Sequence, residues 1–253
     1  VDSGLTAIRL SLKAAGLKRG DEIAVPAYLC ERVGRGLLQE GYSIKFIDVD
    51  RDYNISVEDF IKKSTGRTKA VIAVHSYGIP CRIEEITGYA GKLNMLVIDD
   101  SAQSFGGRRA GRLLGTFGDA GILSFGWIKP LTAMGGGALL VKDKKLREKA
   151  RAMLQNRRDL RVQLIKLIKS LCYLNKPLYY RVAVDLYGIK GKDKAEDNPA
   201  PCVMENEEIV SNFQVLLSAI GLVQMSKIDS FNKKRVYNSL YLKERLAHLP
   251  VVL

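Results

Sequence analysis

The chain has 253 residues, 47% of them hydrophobic and 26% charged. That balance is ordinary for a globular protein with a substantial core, and it excludes disordered, collagen-like and fibrous classes. Forty Lys/Arg stand against 27 Asp/Glu, a formal charge of +13, so the partners to weigh are nucleic acid, a membrane surface or a phosphorylated substrate.

Short β-branched or aliphatic runs at residues 22–27 (EIAVPA), 43–49 (SIKFIDV), 69–75 (KAVIAVH) and 94–99 (NMLVID) predict strands. Helix-like stretches at 6–15, 31–40, 56–63 and 84–92 lie between them. Ser56 followed by Asp59 reads as an N-terminal capping box. Alternation of this kind calls for a mainly parallel sheet covered by helices on both faces, with right-handed crossovers. Two further strands, at 121–125 (GILSF) and 138–141 (ALLV), flank a loop over 126–137. Gly135, Gly136 and Gly137 in that loop are expected to allow close backbone approach or positive φ.

After Lys142 the pattern turns helical. Leu160, Leu164, Leu167, Ile168, Leu171 and Leu174 share one face, and Arg158, Arg161, Lys166 and Lys169 the other. Residues 142–194 hold sixteen Lys/Arg and five Asp/Glu, so most of the positive surplus lies there. Such a helix packs on its own domain or meets anionic lipid peripherally. Nucleic acid is not expected, because no nucleic-acid motif accompanies the charge. A polar, Pro-containing stretch at 193–201 then leads to two amphipathic helices at 212–227 and 230–249.

The four cysteines, at 30, 81, 172 and 202, show no C-x-x-C spacing, and only two histidines are present. No metal site is therefore expected, and reduced cysteines suit a cytoplasmic protein. No apolar run is long and uncharged enough to span a bilayer as a helix. The chain opens on Val1, and flanking sequence is expected at both ends.

In open α/β sheets, ligands bind at the carboxyl ends of the strands. The residues expected there are Asp100 with Gln103, Ser124 with Lys129, and Tyr28. Ser3 and Gly4 open the first helix, whose amides suit an anion. An acid, an amide, a hydroxyl, a lysine, an aromatic face and a phosphate-ready helix start are what pyridoxal 5′-phosphate (PLP) requires. Singly, each residue has an ordinary structural reading; His75 reads as a hydrogen-bonded core residue.

The segments GDEIAVPAY (20–28), TKAVIAVHSYGIP (68–80), VIDDSAQSFGG (97–107) and TFGDAGILSFGWIKPLTAMGGGALLVKD (116–143) resemble the DegT/DnrJ/EryC1/StrS family of PLP-dependent sugar aminotransferases in order and spacing. The stretch at 211–235 resembles the helix pair that follows the family's core. The resemblance implies an α/β, type I PLP-transferase (aspartate-aminotransferase-like) large domain over residues 1–240. Its mixed, mostly parallel sheet would lie between helices, with a basic helical insertion at about 157–200. Residues 241–253 would begin a small C-terminal domain that is mostly absent.

It further implies Lys129 as the Schiff-base lysine and Asp100 as the partner of the pyridine nitrogen. Gln103 would meet the ring hydroxyl, Tyr28 would stack on the ring, and Ser124 with the amides of Gly4 and Leu5 would hold the phosphate. The implied reaction moves an amino group from an amino acid, glutamate in most of the family, to a keto sugar carried on a nucleotide, in a homodimer serving polysaccharide biosynthesis. The chain departs from the family in having Leu5 where a threonine is usual, with Thr6 one place later. Asn206 and Asn212 are its nearest candidates for a segment that reaches the neighbouring subunit's cofactor. Two alternatives stand beside this reading. One is a different PLP-dependent sugar modification such as dehydration, against which Lys129 argues, because dehydrating relatives carry histidine there. The other is a non-catalytic protein binding a membrane surface through the basic helical region.

Overall fold

The computed structural model describes residues 1–154 and 215–249. The basic stretch from residue 157 to 200, and Asn206 and Asn212, lie outside the described residues.

Among the described residues eight strands form in chain order: β1 (Glu22–Pro26), β2 (Ser43–Ile47), β3 (Thr68–Val74), β4 (Leu96–Asp100), β5 (Arg108–Arg109), β6 (Arg112–Leu113), β7 (Ala120–Ser124) and β8 (Gly137–Val141). Six of them make one sheet in the order β2-β1-β3-β4-β7-β8. Neighbours run parallel except β8, which is antiparallel to β7. This is the mixed, mostly parallel sheet expected. The chain order reverses beside β1, which is how strands joined by helical crossovers come to have helices on both faces.

Side chains of successive strand residues point to opposite faces, and the core divides accordingly. Ile23 and Val25 of β1 and Ala70, Ile72 and Val74 of β3 pack with Ala7, Ile8 and Leu12 of α1 (Gly4–Ala14) and Val33 and Leu37 of α2 (Glu31–Gln39). The alternate residues Ala24, Val71 and Ala73 pack with Phe60 of α3 (Val57–Lys63) and Ile83, Ile86 and Ala90 of α4 (Ile83–Lys92). A strand apolar on both faces reads as a continuous hydrophobic run, which is why these strands stand out in the sequence.

The capping box at Ser56 does not form. Ser56 is the N-cap of α3, but its side chain makes no cap bond and instead donates to Glu58 Oε2 at 3.3 Å. Asp59 Oδ2 accepts the Asp48 N–H at 2.7 Å instead. A preceding loop competed for the acid and won.

One element went unread in the sequence, and the helical pattern expected after Lys142 opens with another. The β5–β6 hairpin turns on Ala110 and Gly111, both at positive φ (47° and 78°). The helix α5 (Lys144–Ala152) is capped by Asp143, whose Oδ1 accepts the Leu146 N–H at 2.7 Å, and it packs Ala150 on Leu10 and Ala14 of α1.

The late helix pair consists of α6 (Val215–Met225) and α7 (Ile228–Leu246). The expected domain boundary at 240/241 falls inside α7. Only the start of α7 is buried: Ile228 packs with Phe125 and Leu131. Val236, Tyr237, Leu240 and Tyr241 further along it are exposed.

Candidate active site

The parallel strands end together. Asp100 closes β4 and pairs with Ile122 of β7, two residues before Ser124. Asp100 is 5% exposed, and its Oδ1 accepts the Ala102 N–H at 2.9 Å. Burial pushes the Asp100 carboxyl above the usual carboxylate range; the Ala102 amide and the Lys129 charge pull the other way.

The loop that carries Lys129 leaves β7 and returns as β8. The Phe125 N–H donates to the Gly136 carbonyl at 2.9 Å, and the Ala133 and Gly135 amides both reach the Phe125 carbonyl at 3.0 Å. Gly135 and Gly136 sit at φ 150° and 95°. Gly137 is needed for proximity: a Cβ there would lie 2.7 Å from Ser3 C and 2.8 Å from Gly4 N. The Gly136 and Gly137 amides donate to the carbonyls of Asp2 and Val1, at 2.9 and 3.0 Å. The start of α1 is thereby tied to the lysine loop.

At that start Ser3 is the N-cap. Its Oγ accepts the Thr6 N–H at 3.1 Å, and its carbonyl takes the Ala7 N–H at 3.2 Å. The Gly4 and Leu5 amides remain without an acceptor among the described residues. A Cβ at Gly4 would come within 3.1 Å of Ser124 Cβ and 3.4 Å of its Oγ. A Cβ at Gly126 would lie 3.8 Å from the same Oγ and 3.7 Å from Lys129 Cγ. The helix start, the Ser124 hydroxyl and the stem of Lys129 are therefore close neighbours, and free amides at a helix start suit an anion. The Leu5 side chain is spent elsewhere, against Gly36 of α2. Thr6 Oγ1 lies 2.9 Å from Ser3 Oγ, so both hydroxyls serve the cap.

Tyr28 follows β1 and is 45% exposed. Its ring centroid lies 5.3 Å from that of Tyr53 and 6.0 Å from that of Tyr77. Its hydroxyl is hydrogen-bonded to the hydroxyl of Tyr77. That bond is the main cause of a raised Tyr77 pKa. Tyr77 in turn donates its backbone N–H to Gln103 Oε1 at 3.0 Å. Tyr28 and Gln103 are thus joined through a residue that sequence reading had not singled out.

Two more contributors went unread. Arg235 of α7 donates from Nη2 to the Pro130 carbonyl at 2.9 Å and from Nη1 to Asn232 Oδ1 at 2.8 Å. Asn232 donates to the Phe105 carbonyl at 3.0 Å. The late helix therefore braces the residue after Lys129 from 105 positions away in sequence.

His75 is a fully buried structural residue, as expected. Its Nδ1 accepts the Cys81 N–H at 3.0 Å, so Nε2 carries the proton, 2.7 Å from Asp99 Oδ1. Asp99 Oδ2 takes the Phe117 N–H at 2.8 Å. This pair locks the ends of β3 and β4 and leaves Asp100 to the site. Among the described residues no His/Cys/Asp/Glu cluster could hold a metal. A groove of about 620 Å³ opens at the opposite, amino-terminal edge of the sheet, beside Asp21, Lys69, Asn94 and Asp119, and no expected site residue lines it.

The profile of the DegT/DnrJ/EryC1/StrS aminotransferase family matches residues 1–166. The chain belongs to that family. It is 37% identical over 147 residues to GDP-perosamine synthase of Escherichia coli O157:H7, a match covering 58% of this chain and 40% of that protein. It is also 37% identical over 153 residues to a UDP-N-acetyl-3-dehydro-alpha-D-glucosamine 3-aminotransferase of Acidithiobacillus ferrooxidans, covering 60% and 42%. The chain spans about two-fifths of the length of these relatives. In fold it is similar to an E. coli GDP-4-keto-6-deoxy-D-mannose-3-dehydratase with bound hydrated PLP, at a TM-score of 0.67 and 24% identity, covering 99% of this chain and 61% of the other. The type I PLP-transferase fold is that of its structural neighbours.

The site fits PLP on its own chemistry. A buried acid is available for a ring nitrogen. The free amides with Ser124 Oγ suit a phosphate, and Lys129 lies on the loop that follows Ser124. Gln103 and Tyr28 border the same strand ends.

Proposed function

We propose that the chain is the cofactor-binding part of a PLP-dependent aminotransferase. In this reading it moves an amino group from an amino acid, glutamate by family resemblance, to a keto sugar carried on a nucleotide. The observation that carries the reading is the convergence of Lys129, Ser124 and the free amides of α1 beside the buried Asp100. The amino acid and keto sugar fit because relatives of this sequence are named for amino-sugar synthesis on GDP- and UDP-linked sugars.

PLP supplies the covalent attachment point and the electron sink that transamination needs. The chain's residues do the rest. The Lys129 amine would hold the cofactor and would serve as the base and acid that moves a proton between the donor's α-carbon and cofactor C4′. Asp100 holds a proton on the ring nitrogen, so the ring stays electron-poor. The cofactor's positive ring nitrogen would compensate a carboxylate that burial alone disfavours. Ser124 and the Gly4 and Leu5 amides orient the phosphate; Tyr28 and Gln103 fix the ring.

Dehydration is the runner-up, since one structural neighbour is a dehydratase. Lys129 disfavours it, because a lysine is the shuttle transamination requires. We further infer a homodimer with the sites near its interface, on the family resemblance. Ile128, beside Lys129, is 89% exposed, which fits a face that a second copy covers. A cytoplasmic enzyme of polysaccharide biosynthesis fits the free thiols of Cys30 and Cys81. The membrane-surface alternative rests on residues outside those described.

The direct test is to incubate the protein with PLP and record the visible absorbance. The expected result is a band that borohydride removes while fixing PLP to Lys129, located by peptide mass. Absence of the band, or fixation at another lysine, would end this reading. A screen of nucleotide-linked keto sugars as acceptors from the pyridoxamine-loaded protein then identifies the substrate.

A further inference from the structure

Tyr77 occupies an unusual backbone state. It lies in the three-residue turn after β3 at φ 54° and ψ 17°, a left-handed conformation rare for a bulky side chain. Such residues persist where the surroundings hold them, and they concentrate at functional sites. The surroundings here are plain. The Ser76 N–H donates to Asn54 Oδ1 at 2.8 Å, and Ser76 Oγ donates to the Tyr53 carbonyl at 2.9 Å. On the other side the buried His75 anchors the turn to Asp99.

The conformation has two effects. It aims the Tyr77 N–H at Gln103 Oε1, at 3.0 Å. It also brings the Tyr77 hydroxyl to that of Tyr28. An N–H can only face an acceptor, so the Gln103 carboxamide is oriented with its oxygen toward Tyr77. Its nitrogen, with two N–H donors, has no partner among the described residues.

We propose that Tyr77 is a positioning residue of the cofactor site: its backbone N–H turns Gln103 so that the amide nitrogen presents a donor to the cofactor's ring oxygen, and its hydroxyl holds the Tyr28 ring in place. The inference rests on the PLP reading above. It adds the residue that sets how Gln103 is turned. A donor at an ionised ring oxygen draws off its negative charge. That lowers the pH at which the attached chromophore loses its proton; a carboxylate in the same place raises it.

The test uses the PLP-loaded wild type, Tyr28→Phe, Tyr77→Phe, their double variant and Gln103→Glu. The readouts are the PLP dissociation constant and the pH midpoint of the visible band. Each Tyr→Phe change is expected to weaken PLP binding about threefold to tenfold, the worth of one hydrogen bond. The double variant is expected to weaken it no further, because both singles remove the same bond. Both should leave the midpoint where it is, since the Tyr77 N–H remains. Gln103→Glu is expected to raise the midpoint by one pH unit or more. Additive losses in the double variant would overturn the tether, and an unmoved midpoint in Gln103→Glu would overturn the donor assignment. A wild type with no band that borohydride removes fails at the earlier step, and so marks the PLP reading as the fault.

Discussion

Arg235 on α7 donates its Nη2 hydrogen to the carbonyl of Pro130, the residue after Lys129, at 2.9 Å. The lysine loop between β7 and β8 is therefore held from outside the sheet, by a helix whose remaining length is largely exposed. The guanidinium makes two bonds in one plane, to Pro130 and to Asn232, which a lysine could not reproduce.

Arg235→Ala should accordingly loosen the loop without unfolding the domain. A charged donor to a carbonyl is worth about 1.5–3 kcal/mol when its loss leaves the partner stranded, and less where water can replace it, as it can at this exposed site. The expected outcome is PLP binding weakened about tenfold with the melting temperature of the cofactor-free protein little changed. Equilibrium titration with PLP and a thermal melt check both halves.

Lys129→Ala should abolish transamination and leave the far-ultraviolet circular dichroism unchanged. The side chain is partly exposed, and the loop's backbone bonds, the Lys129 N–H to the Gly126 carbonyl at 3.1 Å among them, do not depend on the lysine side chain. Losing a general acid–base group alone costs about 10²–10⁴ in rate, and here the tether goes with it. Single-turnover assays with a keto-sugar acceptor measure the loss.

Asp100→Asn separates stability from function. Burial raises the Asp100 pKa, so the folded protein binds that proton more tightly than the unfolded chain does. The acid therefore contributes stability that is fully present below its unfolded pKa, near 3.8, and lost as pH rises through the raised folded value. At neutral pH the cofactor-free Asn variant should melt higher than wild type, and the gap should close as the buffer is acidified toward pH 4. The same variant should still bind PLP yet turn over at a small fraction of the wild-type rate, because an amide cannot hold the ring nitrogen protonated. Melts across pH and a turnover assay test the two halves independently.

Gly137→Ala should strike both the fold and the phosphate site. The added methyl would meet Ser3 C at 2.7 Å and Gly4 N at 2.8 Å, backbone atoms that cannot swing aside. Overpacking of this kind costs about 1–3 kcal/mol. Urea titration should show a loss in that range, and PLP affinity should fall further than stability alone explains, because the displaced atoms include the free Gly4 amide.

Much of this architecture was legible in the sequence because buried parallel strands announce themselves. Runs such as AVIAV in β3 are apolar on both faces, and their ends mark where Asp100 and Ser124 must emerge. What stayed hidden depends on conformation or distance. Ala110 at positive φ does not advertise a tight hairpin as Asn-Gly would, so β5 and β6 were passed over. Tyr77 looked like any tyrosine in a turn until its backbone placed its N–H on Gln103. The capping box at Ser56 had the right spacing, but Asp59 had a nearer claimant in Asp48. Asn232 and Arg235 carried no local signal, because their partners Phe105 and Pro130 lie more than a hundred residues away.

The pairing of the first two residues with Gly136 and Gly137 bears on how the protein comes to exist. The Gly4 and Leu5 amides, proposed here for the cofactor phosphate, are in place only when a segment some 135 positions later has docked beside them. Contacts of such separation form late and slowly in folding. During synthesis the helix start must therefore wait for β8 to leave the ribosome, and no shorter nascent chain can complete the proposed phosphate site. Cofactor capture then acts as a check on completed topology: PLP binds the closed sheet and stabilises it by mass action, while chains stalled before residue 137 gain nothing from it.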